Sequence, residues 1–467
     1  MTKPKTVRVL PSAKRLINSL RDLGYETPEA VADLIDNSIA AGAHNVEIDV
    51  HFDGEYSWLR IADDGRGMDG GAITEAMRFG SQRDYEPDDL GKFGLGLKTA
   101  SISQCRCVTV ASRTSKSRAR AEVRQLDLDH VEQHDSWDVL ILGAHERPAE
   151  AVEPLAKRPG TVVLWEDLDR ILPYKSPGGE WARRRLMNVA EHIEQHVGMV
   201  FHRFLAGEVP RHKLSIRING SRVEPWDPFA RDHAETESRP AQDFELHTSA
   251  GSGVVHVEPY VLPPRSSLSP DARRRLSGPN NWNRQQGFYI YRANRLIQSG
   301  GWSYMRTADE HTKLARIAIT FSPDLDHALG INVAKMRVTL PVELKDLVSS
   351  TVEQTVKRAQ VVYREKPDKP PPATAAASSP LAPTAGIGDD PGPVSDLGAV
   401  APSTSAVAVA TNSPADGATG VFSAAVASAR RRALESAADA AEEREALKRI
   451  MRTLGDQHPE VARELGY

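Results

Sequence analysis

Asp33-Leu34-Ile35-Asp36-Asn37, Asp63-Asp64-Gly65-Arg66-Gly67 and Gly91-Lys92-Phe93-Gly94-Leu95-Gly96-Leu97-Lys98 follow one another between Glu29 and Ser101, and the remainder of the chain serves them. The first stretch lies on a predicted helix, with Thr27 placed to cap its opening amides, Pro28 at the first helical position and Gly42 past its end. Ala30, Val31, Leu34, Ile35 and Ile39 form one apolar face, and Glu29, Asp33 and Asn37 recur one turn apart along another. Asn37 offers an amide oxygen of the kind that holds magnesium when phosphates and waters complete the shell. Asp33, one turn earlier, suits a general base for a water. A helix with this pattern in isolation reads as a solvated acidic face, so the assignment needs the other two stretches.

Tyr56 to Ala62 alternates like a strand, and Asp63 stands where it ends, able to accept a hydrogen bond from the exocyclic amine of a base. Gly65 and Gly67 let the backbone turn tightly and approach a ligand. The third stretch precedes an apparent helix, so amides from Gly91 through Leu97 can cradle phosphate oxygens while Lys98 neutralises charge. Each of these two motifs alone is most often a turn. All three in this order within one short span describe a nucleotide pocket.

The three stretches resemble the boxes of the GHKL ATPases, the superfamily of gyrase, the ninety-kilodalton heat-shock chaperone, histidine kinases, MutL and MORC proteins. Phe79-Gly80-Ser81 and Lys98-Thr99-Ala100-Ser101 look most like MORC proteins and their bacterial relatives. The resemblance implies ATP and Mg2+ as cofactors, and implies that Met68 belongs to the second box. It also implies that Thr161, in Gly160-Thr161 before the apolar run Val162 to Trp165, serves the adenine side of the pocket. Ile331 to Val338 resembles the MutL-type segment in which a lysine, here Lys335, reaches the γ-phosphate from a second domain and stabilises charge. One departure stands out: the family's usual base is glutamate, and this chain has Asp33.

The 467 residues carry a net charge of −4, which supplies no global attraction to a polyanion, so a nucleic-acid surface would have to be local. Such a segment runs from Ala272 to Ala308, where Arg273, Arg274, Arg275, Arg284, Arg292, Arg295 and Arg306 occur without an acid and with Trp282, Tyr289 and Trp302 interleaved. It suits a DNA backbone, and loops solvated by arginine fit the same composition. The basic N-terminus is followed by no apolar targeting core and no run reaches membrane-spanning length, so a cytoplasmic location without membrane contact is expected. Cys105 and Cys107 read as small buried hydrophobes of a strand. His192, Glu194 and His196 lack the order of a zinc-protease helix.

The fold class expected is α+β. Residues 1–205 form an N-terminal two-layer sandwich of the Bergerat ATP-binding type, with a hairpin turning at Asp53-Gly54 and strands at 106–112 and 160–166. Residues 206–362 form an α/β transducer, opened by Ile218-Asn219-Gly220 and containing a second hairpin across 286–297; by resemblance its fold is one found in a small-subunit ribosomal protein. Residues 363–420, rich in Pro, Ala, Ser and Thr, read as a disordered linker, and 421–467 as a C-terminal helical segment whose narrow apolar stripe needs a partner protein or a second copy.

The resulting expectation is a MORC-like ATPase with slow turnover. It would close its lid and dimerise around ATP, acting on DNA or in bacterial defence. A nucleotide-gated scaffold that binds ATP with little hydrolysis is the alternative. A histidine kinase is disfavoured, because the family's kinases place the pocket after a phosphoacceptor helix.

Overall fold

The computed structural model describes residues 11–22, 24–80, 96–115, 120–173, 178–210, 212–278, 281–330 and 338–364. Gly91 to Leu95, Lys335, the linker and the C-terminal segment lie outside the described residues.

The chain is α+β. Its first part runs α1 (Ala13–Arg21), α2 (Thr27–Ala40), β1 (Asn45–His51), β2 (Trp58–Asp63), α3 (Gly70–Ala76), α4 (Gly96–Ile102), β3 (Cys107–Arg113), β4 (Glu122–Asp127), α5 (Leu128–His134), β5 (Leu140–Ile141), α6 (Ala149–Val152), β6 (Gly160–Glu166), α7 (Glu180–Val200), α8 (His202–Leu205), β7 (Ser215–Ile218) and β8 (Ser221–Arg222). The strands form one sheet in the order β5-β4-β3-β6-β2-β1-β7-β8. Among the described residues its one parallel pair is β1 with β7. β7 and β8 fall beyond residue 205, so the first sheet takes in the segment expected to open the second domain. The reason is pairing: Asn45 to Ile48 of β1 would otherwise present an open edge, and Ser215 to Ile218 covers it.

The helix layer covers one face of this sheet. Val46 and Ile48 of β1, Leu59 and Ile61 of β2 and Val163 and Trp165 of β6 project into a core closed by α1, α2, α4 and α7. Their alternation follows from the two-residue period of a strand. The opposite face, with Ala62, Ala111, Val123, Val162 and Leu164, is covered over part of its area by Ala151 of α6 and Leu155.

The second part runs β9 (Glu237–Ser238), β10 (Gln242–Thr248), β11 (Gly251–Val261), α9 (Pro270–Ser277), α10 (Asn281–Arg284), β12 (Gly287–Arg292), β13 (Arg295–Ser299), β14 (Ala315–Phe321) and α11 (Val342–Arg364). Its sheet has the order β10-β11-β14-β12-β13, with β9 beside β11. The β12–β13 hairpin is antiparallel, as predicted, and β12 lies parallel to β14. α11 packs across β10, β11 and β14. β12 is buried on both faces: Phe288 and Ile290 join the core under α11, while Tyr289 and Tyr291 join the core of the first sheet. His202 Nε2 and the Tyr291 hydroxyl, 2.9 Å apart, tie α8 to β12 across that junction. Among the described residues, no helix is long and apolar enough to cross a membrane.

Two sequence expectations change here. α2 is capped by Glu26, in a reciprocal box with Glu29, rather than by Thr27. Thr27 is already helical, and its hydroxyl donates to Gln104 Oε1 at 2.6 Å. The three aromatic residues read as interleaved with the arginines, Trp282, Tyr289 and Trp302, are buried in the core. Cys105 and Cys107 are free thiols, as expected, and burial raises the pKa of both.

Candidate nucleotide site

Asp63 ends β2 on the same side as Leu59 and Ile61, so its carboxylate points into the helix layer. There Oδ1 accepts from the backbone amides of Gly65 at 2.9 Å and Thr161 at 3.1 Å, and Oδ2 accepts from the Ser38 hydroxyl of α2 at 3.1 Å. Burial pushes its pKa up against the pull of these donors. A carboxylate offers about four lone-pair sites, and these three donors leave one for a ligand's amino group.

The turn after Asp63 is clamped to the end of α2. Arg66 donates from its amide to Ala41 O at 3.0 Å and from Nη1 to Ala40 O at 2.7 Å. Asp64 accepts from the amides of His44 and Asn45 and from Asn45 Nδ2, within 2.7–2.9 Å. The first two boxes are therefore joined through backbone and do not rely on a ligand to meet. Gly67 has φ +68° and would place a Cβ 2.0 Å from Arg113 O. Gly160 would place one 2.0 Å from Asp63 O. Both approaches demand glycine. The Met68 amide donates to Ser112 Oγ at 2.8 Å, and that hydroxyl gives its one proton to Gly160 O at 3.0 Å. Thr161 Oγ1, 2.9 Å away, must then be the donor to Ser112. Asp63, Gly65, Gly67, Met68 and Thr161 thus form one connected patch.

Asp33 is 4% exposed. Tyr25 donates its hydroxyl to Asp33 Oδ2 at 3.0 Å, and Arg295 of β13 brings Nη2 to 3.7 Å from Oδ1. Burial and the Asp33 charge drive the Tyr25 pKa well up, so this hydroxyl keeps its proton. Gly96 opens α4 beside the same carboxylate, where an added Cβ would lie 3.5 Å from Oδ2. Asn37 is exposed one turn further along α2. Its amide oxygen suits the hard-oxygen shell of magnesium, and the Asp63 turn suits an amino-bearing base, so the described residues fit ATP and Mg2+.

Lys98 is placed differently from its expected phosphate role. Its Nζ donates to Ala76 O at 3.0 Å and Arg78 O at 2.7 Å, at the C-terminal end of α3, where unpaired carbonyls attract a cation. Burial lowers its pKa to about 8. Leu97 packs partly buried against the main core.

Glu29 is committed to the cap, its carboxylate accepting from the Glu26 amide at 3.1 Å. Burial raises its pKa. Glutamine serves a capping box equally well. Glu29→Gln is therefore expected to leave single-turnover ATP hydrolysis within about threefold of wild type; a loss of a hundredfold or more would move the base from Asp33 to Glu29.

Sequence reasoning missed Tyr25, Ser38 and Ser112, and took Arg295 for a surface cation. Ser38 was findable, since it follows Asn37 at helical spacing from Leu34. Ser112 and Arg295 depend on contacts distant in sequence, and Tyr25 reaches Asp33 from the turn before α2, outside the helical repeat. Among the described residues no cluster of three or more His, Cys, Asp or Glu is placed to hold a metal.

A mixed sheet with helices on one face thus carries a strand-end aspartate in a glycine turn beside a helix bearing Asp33 and Asn37. Residues 25–160 match the family described as Histidine kinase-, DNA gyrase B-, and HSP90-like ATPase. Among curated proteins, the chain is 24% identical over 271 residues to DNA mismatch repair protein MutL of Pseudoalteromonas translucida, covering 55% of this chain and 39% of that one. It is 28% identical over 215 residues to MutL of Klebsiella pneumoniae, covering 44% and 30%. With MutL of Rhodospirillum rubrum it shares 26% identity over 232 residues, covering 48% and 33%. The matched region thus spans well under half the length of these relatives.

Proposed function

We propose that this chain binds ATP with Mg2+ at the Asp63–Asn37 site and hydrolyses it slowly through Asp33, using closure of its lid and dimerisation as a clamp on DNA. The observation that carries the reading is the Asp63 carboxylate, held by Gly65, Thr161 and Ser38 with acceptor capacity left for an adenine amine. Asp63 selects the base, the Thr161–Ser112–Met68 patch holds the turn that presents it, and Asn37 holds the metal. Asp33 takes the proton of the attacking water. Magnesium, when bound, supplies positive charge to the phosphate oxygens. Lys335 would complete the charge stabilisation from the second domain.

The matched relatives are named as mismatch repair proteins, which supports DNA as the substrate. The finer likeness to MORC proteins and to defence systems rests on the Phe79-Gly80-Ser81 and Lys98 to Ser101 runs and on Ile218-Asn219-Gly220 followed by Pro225-Trp226-Asp227-Pro228-Phe229. ATP turnover with and without double-stranded DNA tests the reading: stimulation by DNA supports it, and equal rates argue against DNA as the regulator. One observation favours the scaffold alternative, with protein partners recruited through the C-terminal segment. Asp33 is already engaged by Tyr25 and Arg295, which suits binding without rapid turnover.

The DNA surface is narrower than the arginine count suggested. Arg292 is buried in a pair with Asp326 and Arg295 in one with Asp36, and neither can reach a phosphate backbone. Arg273, Arg274 and Arg275 on α9 remain as candidates, with the exposed Arg284 on α10 and the half-buried Arg306. Arg274 and Arg275 are exposed, although Arg274 pairs with Asp271. The end of α9 is held in place by Trp226 Nε1, which donates to Arg275 O, and by Arg316 Nη2, which donates to Leu276 O. Changing the three arginines of α9 to alanine is expected to lower DNA affinity and to reduce the slope of log affinity against log salt by roughly 0.9 for each phosphate no longer neutralised. Unchanged affinity and slope in a salt titration would place the DNA site elsewhere.

A further inference from the structure

We infer that Arg295 is a positioning residue for Asp33, linking the second sheet directly to the hydrolytic carboxylate. The inference rests on the proposed ATPase reading and adds to it a residue that the three boxes do not contain. Arg295 opens β13, 259 positions along the chain from Asp36, and is 4% exposed. Its Nε lies 3.0 Å from one Asp36 oxygen and 2.8 Å from the other, and Asp36 itself is fully buried. Asp36 and Asp33 are separated by one turn of α2, so one planar guanidinium anchored on the first presents Nη2 to the second. That nitrogen stands 3.7 Å from Asp33 Oδ1, beyond hydrogen-bond length and well within electrostatic reach.

A buried arginine flanked by two carboxylates is not explained by stability, because desolvation cancels most of the attraction in such pairs. Its position does explain a coupling. Phe201 lies under the guanidinium, with the ring centroid 5.9 Å from Cζ, so the arginine is fixed between α7–α8 and α2. A shift of β13 against α2 by less than 1 Å, roughly the gap between 3.7 Å and an ordinary charged hydrogen bond, would bind or release the Asp33 carboxylate. The second sheet would thereby control the aim and the protonation of the base without entering the pocket.

Among the described residues, the titratable and charged groups facing Asp33 and Arg295 are Tyr25 before α2, Glu29 and Asp36 on α2, and His196 on α7. Burial, with help from the Arg295 charge, lowers the His196 pKa to about 4, so it is neutral across the working range. Removing the guanidinium takes away a positive charge 3.7 Å from Asp33. A carboxylate that loses a neighbouring cation is protonated at higher pH, so the acid limb of the hydrolysis profile moves up.

Two variants test this without stranding a buried charge. In Arg295→Gln combined with Asp36→Asn, a neutral hydrogen-bonding pair replaces the ionic one. It is expected to bind ATP as wild type does by calorimetry, to lose about tenfold or more in single-turnover rate, and to shift the acid limb up, by less than loss of the guanidinium alone would, because the opposing Asp36 charge leaves with it. Arg295→Lys keeps the charge without the fork. It is expected to lose a similar factor in rate while keeping the wild-type acid limb. Wild-type rate and limb in both variants would overturn the inference, as would a rate loss in both with an unmoved limb. Failure of the double variant to fold, combined with a wild-type profile in Arg295→Lys, would reduce Arg295 to a packing role and overturn it as well. A wild type that binds ATP without hydrolysing it would sink the hydrolytic reading and this inference together, whereas wild-type hydrolysis with unaffected variants sinks only the inference.

Discussion

Asp33→Asn is expected to bind ATP within about threefold of wild type and to lose single-turnover hydrolysis by roughly 10²–10⁴, the usual contribution of a positioned general base. The substitution keeps shape. Tyr25 can still donate to the side-chain oxygen that replaces Oδ2, now held at 3.0 Å, and α2 keeps its packing. What disappears is the group able to take a proton from water. Wild-type turnover itself should be slow, because aspartate stops about 1.5 Å, one carbon–carbon bond, short of the glutamate usual in the family. Glu29 cannot make up the difference: it caps α2 one full turn, about 5.4 Å, away along the axis. The comparison to make is single-turnover hydrolysis in Asp33→Asn and Glu29→Gln side by side. Loss in Glu29→Gln with retention in Asp33→Asn would reverse the assignment, and loss in neither would favour the scaffold.

The second large effect is the loss of ATP binding in Asp63→Asn with the fold intact. Oδ1 is pinned by two backbone amides, so the asparagine oxygen must occupy its place and the amide nitrogen must take the place of Oδ2. Ser38 tolerates the exchange. Its hydroxyl lies 3.2 Å from Leu34 O as well as 3.1 Å from Asp63, and it can donate to the carbonyl while accepting from the new amide. The edge left for the ligand then presents a donor to the adenine amine where an acceptor is required. Losing a charge-assisted hydrogen bond and opposing two donors costs about 3 kcal/mol or more, roughly a hundredfold in affinity. Calorimetry should detect no binding at ligand concentrations that saturate wild type, while the melting temperature stays within a few degrees. Normal binding would place the adenine elsewhere.

Much of this was legible in the sequence because it is local. The β1–β2 hairpin followed from alternation about Asp53-Gly54, the β12–β13 hairpin from two short alternating runs, and α2 from its apolar stripe. Asp63 could be placed at a strand end for the same reason, and the need for glycine at 67 and 160 is visible once their strands are known. These features depend on neighbours a few residues away, whose spacing repeats with the helix or strand period.

Only the tertiary structure decided which partner each buried polar group found. Arg295 sits in a run of arginines with no acid nearby in sequence, and so reads as surface; in the fold it meets Asp36 and Asp33 of α2. Trp282, Tyr289 and Trp302 read as interleaved with those arginines and are core instead. Lys98 belongs to the glycine box by sequence, but in the fold it satisfies carbonyls at the end of α3. β7 and β8 read as the start of a new domain and complete the edge of the first sheet. The physical reason is common to the two charges and the strand edge. Periodicity tells which side of an element is buried, whereas a buried charge or an open strand edge must be satisfied by whatever the fold brings to it, at any distance along the chain.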